Sequence, residues 1–187
     1  MLKYHIEFKK YPKDIYNLKI KTEPRGWSKL FAFRDFEICD GEKTIGRATT
    51  CWGLIDLNTK NMVNVGQVLA DNPNFGKFEK RETDLAFNKI LPLQTIDVEK
   101  TYAVRFDDLD VNQHVNNSNY IVWAFEALDY NFRKNKELKT IDMLFKKEIA
   151  YGNVVQSQLQ VLENTTLHAL KNKETEEELC LVQAQWA

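Results

Sequence analysis

The stretch Tyr120-Ile121-Val122-Trp123-Ala124-Phe125-Glu126-Ala127-Leu128 is apolar at every position except Glu126. A helix apolar nearly all round is enclosed by other elements on most of its sides, so this stretch predicts a buried helix. Asn116, Asn117 or Ser118 can cap its start, because each offers a side-chain oxygen to the orphan amides of the first turn. Polar residues return at Asp129, Asn131, Arg133 and Lys134, where the far end is expected to emerge into water.

Outward from this helix the chain reads as strand. Residues 99–106, 140–148, 154–163, 165–171 and 179–186 are rich in β-branched and aromatic types. The charged run from Asn172 to Glu178 reads as a solvated hairpin tip between the last two. Toward the N-terminus, four further strand candidates cover residues 2–11, 15–22, 28–39 and 44–57. Turn-like groups separate them: Tyr11-Pro12-Lys13-Asp14, Glu23-Pro24-Arg25-Gly26 and Asp40-Gly41-Glu42. Asp-Gly between such runs is a strong hairpin signal. Residues 1–65 therefore predict an antiparallel sheet, and 66–94 a linker with a short helix or two. Residues 95–187 form a second unit. A single buried helix wrapped by a curved antiparallel sheet is the hot-dog arrangement, and the two strand-rich halves predict an α+β protein with two such units.

Composition narrows the partners. The 187 residues are 43% hydrophobic and 28% charged with a net charge of −1, an ordinary globular balance that announces no nucleic-acid surface. Cys39, Cys51 and Cys180 are scattered without a CxxC pair, as expected for buried thiols in a reducing cytoplasm. Charges interrupt every apolar run after Met1, so neither a signal peptide nor a membrane span fits, and a cytoplasmic protein is expected. His5 and His168 lack acidic or thiol neighbours at useful spacing and are expected at surface or edge positions. Trp27, Trp52 and Trp186 are expected to pack in core or sheet, and Trp123 in the core on the buried helix.

The chemistry-bearing residues stand just before the helix, in Asp107-Asp108-Leu109-Asp110-Val111-Asn112-Gln113-His114-Val115-Asn116-Asn117. In an extended segment Asp110, Asn112 and His114 would share one face, bringing an acid, an amide and an imidazole together. Thioester hydrolysis needs such a set: a base for water, donors for the oxyanion and an orienting group. Calcium fits poorly. Asp108-x-Asp110-x-Asn112 matches the start of an EF-hand loop, but Gln113 replaces the turn glycine and Asn119 the bidentate glutamate. Zinc fits no better, since one histidine with carboxylates is a poor ligand set. A polar turn capping the helix remains an alternative on composition alone.

The pattern Asp-Leu-Asp-Val-Asn-Gln-His-Val-Asn-Asn-x-x-Tyr-Ile-x-Trp, from Asp108 to Trp123, resembles the signature of the plant and bacterial acyl-ACP thioesterases. Weaker resemblance covers nearly the whole chain: Arg47 to Asp56, Phe145-Lys146-Lys147-Glu148-Ile149, and Leu179 to Trp186. The resemblance implies hydrolysis of the thioester joining a fatty acyl chain to acyl carrier protein, without metal or other cofactor. It assigns catalytic positions to Asp110, Asn112, His114 and Glu148. Glu148 would activate water, Asn112 and His114 would polarise the carbonyl, and Asp110 would orient them. The partner would be the phosphopantetheine-borne acyl group on its carrier. A hot-dog acyl-CoA thioesterase and a non-catalytic acyl-binding module are the alternatives. Lys146, Lys147, Arg133 and Lys134 could meet the acidic carrier, with solvated charge as the default.

Three departures carry expectations of their own. Plant members often place a cysteine directly after the glutamate, where this chain has Ile149, which favours direct attack by water. Family members begin with a strand and a helix that this chain lacks, so the first unit is expected to be N-terminally truncated, or covered by homodimerisation, with an apolar sheet face otherwise open. Strict alternation on 140–148 places Glu148 opposite Ile141, Met143 and Phe145. A bulge near Lys146-Lys147 would bring it back toward the site.

Overall fold

The computed structural model describes all residues except 13–17, 57, 60 and 73–74. Parts of the predicted turn at Tyr11-Pro12-Lys13-Asp14 and of the predicted 66–94 linker, the start of the second predicted strand and the end of the fourth lie outside the described residues. The chain divides into two compact units, Met1–Asn88 and Lys89–Ala187, with the division inside the 66–94 stretch.

The first unit contains β1 (Lys3–Phe8), β2 (Leu18–Ser28), β3 (Phe31–Asp40), β4 (Lys43–Ile55), β5 (Met62–Val63) and α1 (Val65–Leu69). Its strands pair antiparallel in the order β2-β3-β4-β1, with β5 on β4. Asp40 pairs with Lys43 across the two-residue turn Gly41-Glu42, and Gly41 supplies the left-handed backbone (φ 59°) that this turn requires.

The expected turn at Glu23-Pro24-Arg25-Gly26 does not form. β2 runs through these residues, and the reversal falls at Lys29-Leu30, where Ser28 pairs with Phe31. The Pro-Gly signal instead marks a bulge between Pro24 and Gly26. Proline without an amide is tolerated on such an irregular, terminal strand. Gly26 (φ 96°) is also pressed so closely on the chain that an added Cβ would lie 2.5 Å from the Gly76 carbonyl.

That close approach is part of how residues 75–88 lie along one face of this sheet. Trp27 donates its amide to Gly76 and its indole N–H to Phe75, and accepts from the Phe78 amide. The buried Arg25 pairs with Asp35 at 2.6 Å and with Asp84, and donates to the Glu79 carbonyl at 3.0 Å. Phe33 packs against Phe78 and Phe87 beside this cluster. The other face carries Phe36, Ile38, Ile20 and Trp52, the last two exposed to 61% and 40%. No helix longer than α1 is among the described residues of this unit.

The second unit contains β6 (Val98–Ala103), α2 (Asn117–Phe125), α3 (Tyr130–Asn135), β7 (Leu138–Phe145), β8 (Val154–Leu162), β9 (Thr165–Asn172) and β10 (Glu178–Trp186). The antiparallel order is β7-β10-β9-β8-β6, and α2 packs on β8, β9 and β10. This is a hot-dog unit, and the first unit supplies the corresponding sheet. Tyr120, Trp123, Ala124 and Phe125 are the buried face of α2. They meet a sheet core that includes Val155, Leu159, Leu167, Leu170, Val182 and Trp186. Ser157 Oγ donates to the Trp123 carbonyl at 3.1 Å. Asn116 caps the helix by accepting from the Ser118 amide.

Two expectations need correction here. The predicted helix does not continue to Leu128: α2 ends at Phe125, and a new N-cap at Asp129 starts α3. Val122 is 52% exposed, so enclosure is one-sided, as a helix lying on a sheet must be. His5 and His168 are also buried rather than at the surface. His168 faces α2 from β9, with Nε2 3.0 Å from Thr166 Oγ1 and its ring 5.7 Å from that of Phe125. Burial pushes its pKa down to about 3.

The lowered folded-state pKa has a defined sign. Below the unfolded value of about 6.5 the unfolded chain takes up a proton that the folded chain refuses. Stability present above about pH 6.5 is therefore lost as pH falls toward 3. The loss due to His168 is about 2 kcal/mol at pH 5. Urea unfolding at pH 7 and pH 5 should show a smaller drop for His168→Gln than for the parent chain. Equal drops would remove His168 as the cause.

Candidate active site

The segment Asp108–Asn116 is built as a pinned hairpin loop. Arg105 leads from β6 into one turn of 3-10 helix, Phe106–Asp108. The Asp108 side chain is 1% exposed. It accepts from the Arg105 backbone amide (2.8 Å), Nε (3.2 Å) and Nη2 (2.7 Å). The guanidinium holds this carboxyl below the usual carboxylate range. The first acid of the calcium-like pattern is thereby committed to an internal ion pair. Among the described residues, no group of three or more His, Cys, Asp or Glu could hold a metal ion.

Beyond Asp108, Leu109 and Val115 form an isolated antiparallel bridge. Inside it the Asp110 amide donates to the His114 carbonyl (2.7 Å), and the Gln113 amide to the Asp110 carbonyl (3.0 Å). Asp110 Oδ1 accepts from the amides of Asn112 (2.8 Å) and His114 (3.3 Å). Gln113 takes a left-handed conformation, φ 63°. The residues thus form a tight turn rather than the extended segment expected from alternation. Asp and Asn compete with strand geometry by bonding nearby backbone amides, and Asp110 does so here. Its carboxylate caps the turn that carries His114. Among the described residues the Asn112 side-chain amide has no hydrogen-bond partner, and Val111 is 99% exposed.

The second limb comes from the end of β7. The amides of Lys146 (2.8 Å) and Lys147 (3.2 Å) both donate to the Leu179 carbonyl. Two residues thus oppose one, the arrangement of a β-bulge. The extra residue breaks the strict alternation counted along 140–148. Val115 then donates to the Ile149 carbonyl at 2.9 Å, and His114 bridges Ala150. With the two limbs joined, His114 Nδ1 lies 3.0 Å from Glu148 Oε2, their side chains 44% and 71% exposed. Exposed pairs of this kind add little stability, so this contact is not what holds the two limbs together.

All four predicted site residues therefore fall in the second unit, on two limbs. His114 and Glu148 touch through side chains, Asp110 touches His114 through its backbone, and Asn112 contributes a backbone amide. The reading from sequence missed the supporting residues Arg105, Asp108 and Asn119. Asn119 Nδ2 donates to the Asp108 carbonyl at 2.9 Å. The Arg-x-x-Asp spacing was the available signal for the first two. Of the cations considered for carrier docking, Lys146 pairs with Glu178, Lys147 with Glu177 and Arg133 with Glu126. Left-handed strain at Gln113 gives a direct test of the turn. Gln113→Val should cost about 1–2 kcal/mol in denaturant unfolding, whereas Gln113→Gly should be neutral or stabilising. Indistinguishable midpoints would show that the turn is not held as described.

Residues 1–71 match the acyl-ACP thioesterase N-terminal domain, and residues 93–187 match the C-terminal domain. Oleoyl-acyl carrier protein thioesterase 2 of Arabidopsis thaliana is 28% identical over 165 residues, 82% of this chain and 44% of the relative. Thioesterase 1 of the same plant is 30% identical over 166 residues, 82% of this chain and 45% of the relative. The chain thus spans less than half the length of these curated relatives. A Lactobacillus plantarum protein assigned as an oleoyl thioesterase superimposes with a TM-score of 0.86 at 26% identity, over 99% of this chain and 74% of that one. The 12:0-ACP thioesterase of Umbellularia californica has the same fold, with a TM-score of 0.83 at 21% identity over 100% of this chain and 74% of that one. With both domains matched in order, the chain belongs to the acyl-ACP thioesterase family.

Proposed function

We propose that this chain hydrolyses fatty acyl thioesters borne on acyl carrier protein. The observation that carries the reading is the His114–Glu148 contact of 3.0 Å, made between a pinned turn and a bulge in a member of this family. Glu148 takes a proton from water as the water oxygen bonds to the thioester carbon. Asn112 and His114 donate to the developing oxyanion. Asp110 holds the turn that presents both. When the tetrahedral intermediate collapses the carbon–sulfur bond breaks, and the departing thiolate takes up the proton. The fatty acid and the carrier thiol are released.

Direct attack by water is favoured over a covalent intermediate. Cys39, Cys51 and Cys180 are all buried and free. Burial raises the pKa of Cys51 and pushes the Cys180 thiol far up, whereas a nucleophilic cysteine needs an accessible thiolate. No helix of the described residues is long and apolar enough to cross a membrane. A reducing, cytoplasmic setting is proposed from the free thiols, with 66–94 as the segment connecting the two units. Self-association through the apolar face bearing Ile20 and Trp52 is proposed from its exposure. Size-exclusion chromatography should show a dimer, and a monomer without dye-accessible apolar surface would refute it.

The function itself is tested by thiol release from medium- and long-chain acyl-ACP and acyl-CoA. Asp110→Ala and Glu148→Ala should each lower kcat by about 10²–10⁴-fold. Preference for acyl-CoA would transfer the same chemistry to the other carrier. A folded chain inactive on both would be an acyl-binding module instead.

A further inference from the structure

Both limbs of the His114–Glu148 pair rest on one turn of α2. On the first limb, the Asp108 carbonyl is placed from several directions. Its residue's side chain is buried and locked by Arg105. Its oxygen accepts the Asn116 amide at 2.8 Å. Asn119 Nδ2 then reaches that same oxygen at 2.9 Å, clasping the hairpin loop onto the helix. On the second limb, Tyr120 is 1% exposed and sets its ring edge-on to Phe145, centroids 5.6 Å apart at 90°. Phe145 is the last residue of β7 before the bulge that delivers Glu148. Consecutive helix residues point about 100° apart, so two neighbours on α2 can address two separate limbs.

We infer that Asn119 is a positioning residue that sets the spacing between His114 and Glu148, by holding the first limb to the helix turn whose Tyr120 ring supports the second. The inference rests on the hydrolase reading of this pair. The Asn119 side chain is not required to satisfy a buried partner, because the Asp108 carbonyl keeps the Asn116 amide when Asn119 is removed. An unsatisfied buried group is what makes lost hydrogen bonds costly, so Asn119→Ala should disturb geometry more than stability. A misplacement of about 1 Å in such a site lowers turnover by about 100-fold.

The experiment compares the parent chain with Asn119→Ala and with Glu148→Ala as the inactive reference. For each, acyl-ACP hydrolysis and thermal unfolding are measured, and the His114 Nδ1–Glu148 Oε2 separation is read from crystal structures of the parent and Asn119→Ala chains. In Asn119→Ala kcat should fall by about 10–100-fold with KM within about threefold, and the thermal midpoint should stay within a few degrees. Unchanged kcat, or activity falling only in step with the folded fraction, would overturn the inference. The crystallographic separation distinguishes this from failure of the hydrolase reading, because it reports on the His114–Glu148 contact without turnover. It should lengthen by about 1 Å in Asn119→Ala. An unchanged separation would refute the positioning role even if the parent chain proves inactive.

Discussion

Burial of the Tyr120–Phe125 face of α2 against β8, β9 and β10 is the interaction on which the second unit depends. Tyr120, Trp123 and Phe125 are each at most 9% exposed, and each contributes on the order of 2–3 kcal/mol of transfer free energy. The ring contacts extend this into a network. Trp123 stacks on Tyr102 of β6, Phe125 packs on Trp186 of β10, and Tyr120 meets Phe145 of β7. A single nine-residue helix thereby touches strands from one side of the sheet to the other. Because the helix cannot shift without breaking these contacts, the polar residues at its N-terminus inherit a fixed position.

The candidate site depends on that rigidity, because it lies at a surface where its own contacts are weak. The pair of Glu148 and His114 is too exposed to hold itself together. It is held by backbone: the Val115–Ile149 hydrogen bond, the bulge on the Leu179 carbonyl and the turn capped by Asp110. Sites on such rigid supports keep reacting groups aligned without reorganisation during reaction.

The first unit solves a different problem. Its sheet carries no long helix among the described residues, and one face is closed by residues 75–88 through the buried Arg25 ion pairs. Removing one member of such a cluster is costly, about 3–5 kcal/mol, since a carboxylate would be left unpaired. Arg25 sits in a Pro-Gly segment that resembles a turn, but Gly26 at φ 96° allows a bulge in which the strand continues.

By itself the sequence determined what depends on local pattern. The run at 120–128, apolar except for Glu126, implied a buried helix, Asp40-Gly41 implied a hairpin, and the rigid spacing from Asp108 to Trp123 marked the family. Tertiary structure decided what depends on partners distant in the chain. Pro24-Arg25-Gly26 became a bulge because Asp84, about sixty residues on, captures Arg25. His168 became a buried neutral base because β9 lies under Phe125. Asp110, Asn112 and His114 were legible as a group, but Asp110 took the backbone amides of its own turn and abolished the extended alternation. Glu148 reached His114 only because Leu179, on the neighbouring strand, accepts two amides where regular pairing allows one. Local periodicity records which face a residue would take in a regular element. It does not contain the long-range hydrogen bond or ion pair that makes the element irregular, and in this protein the candidate chemistry is at those irregularities.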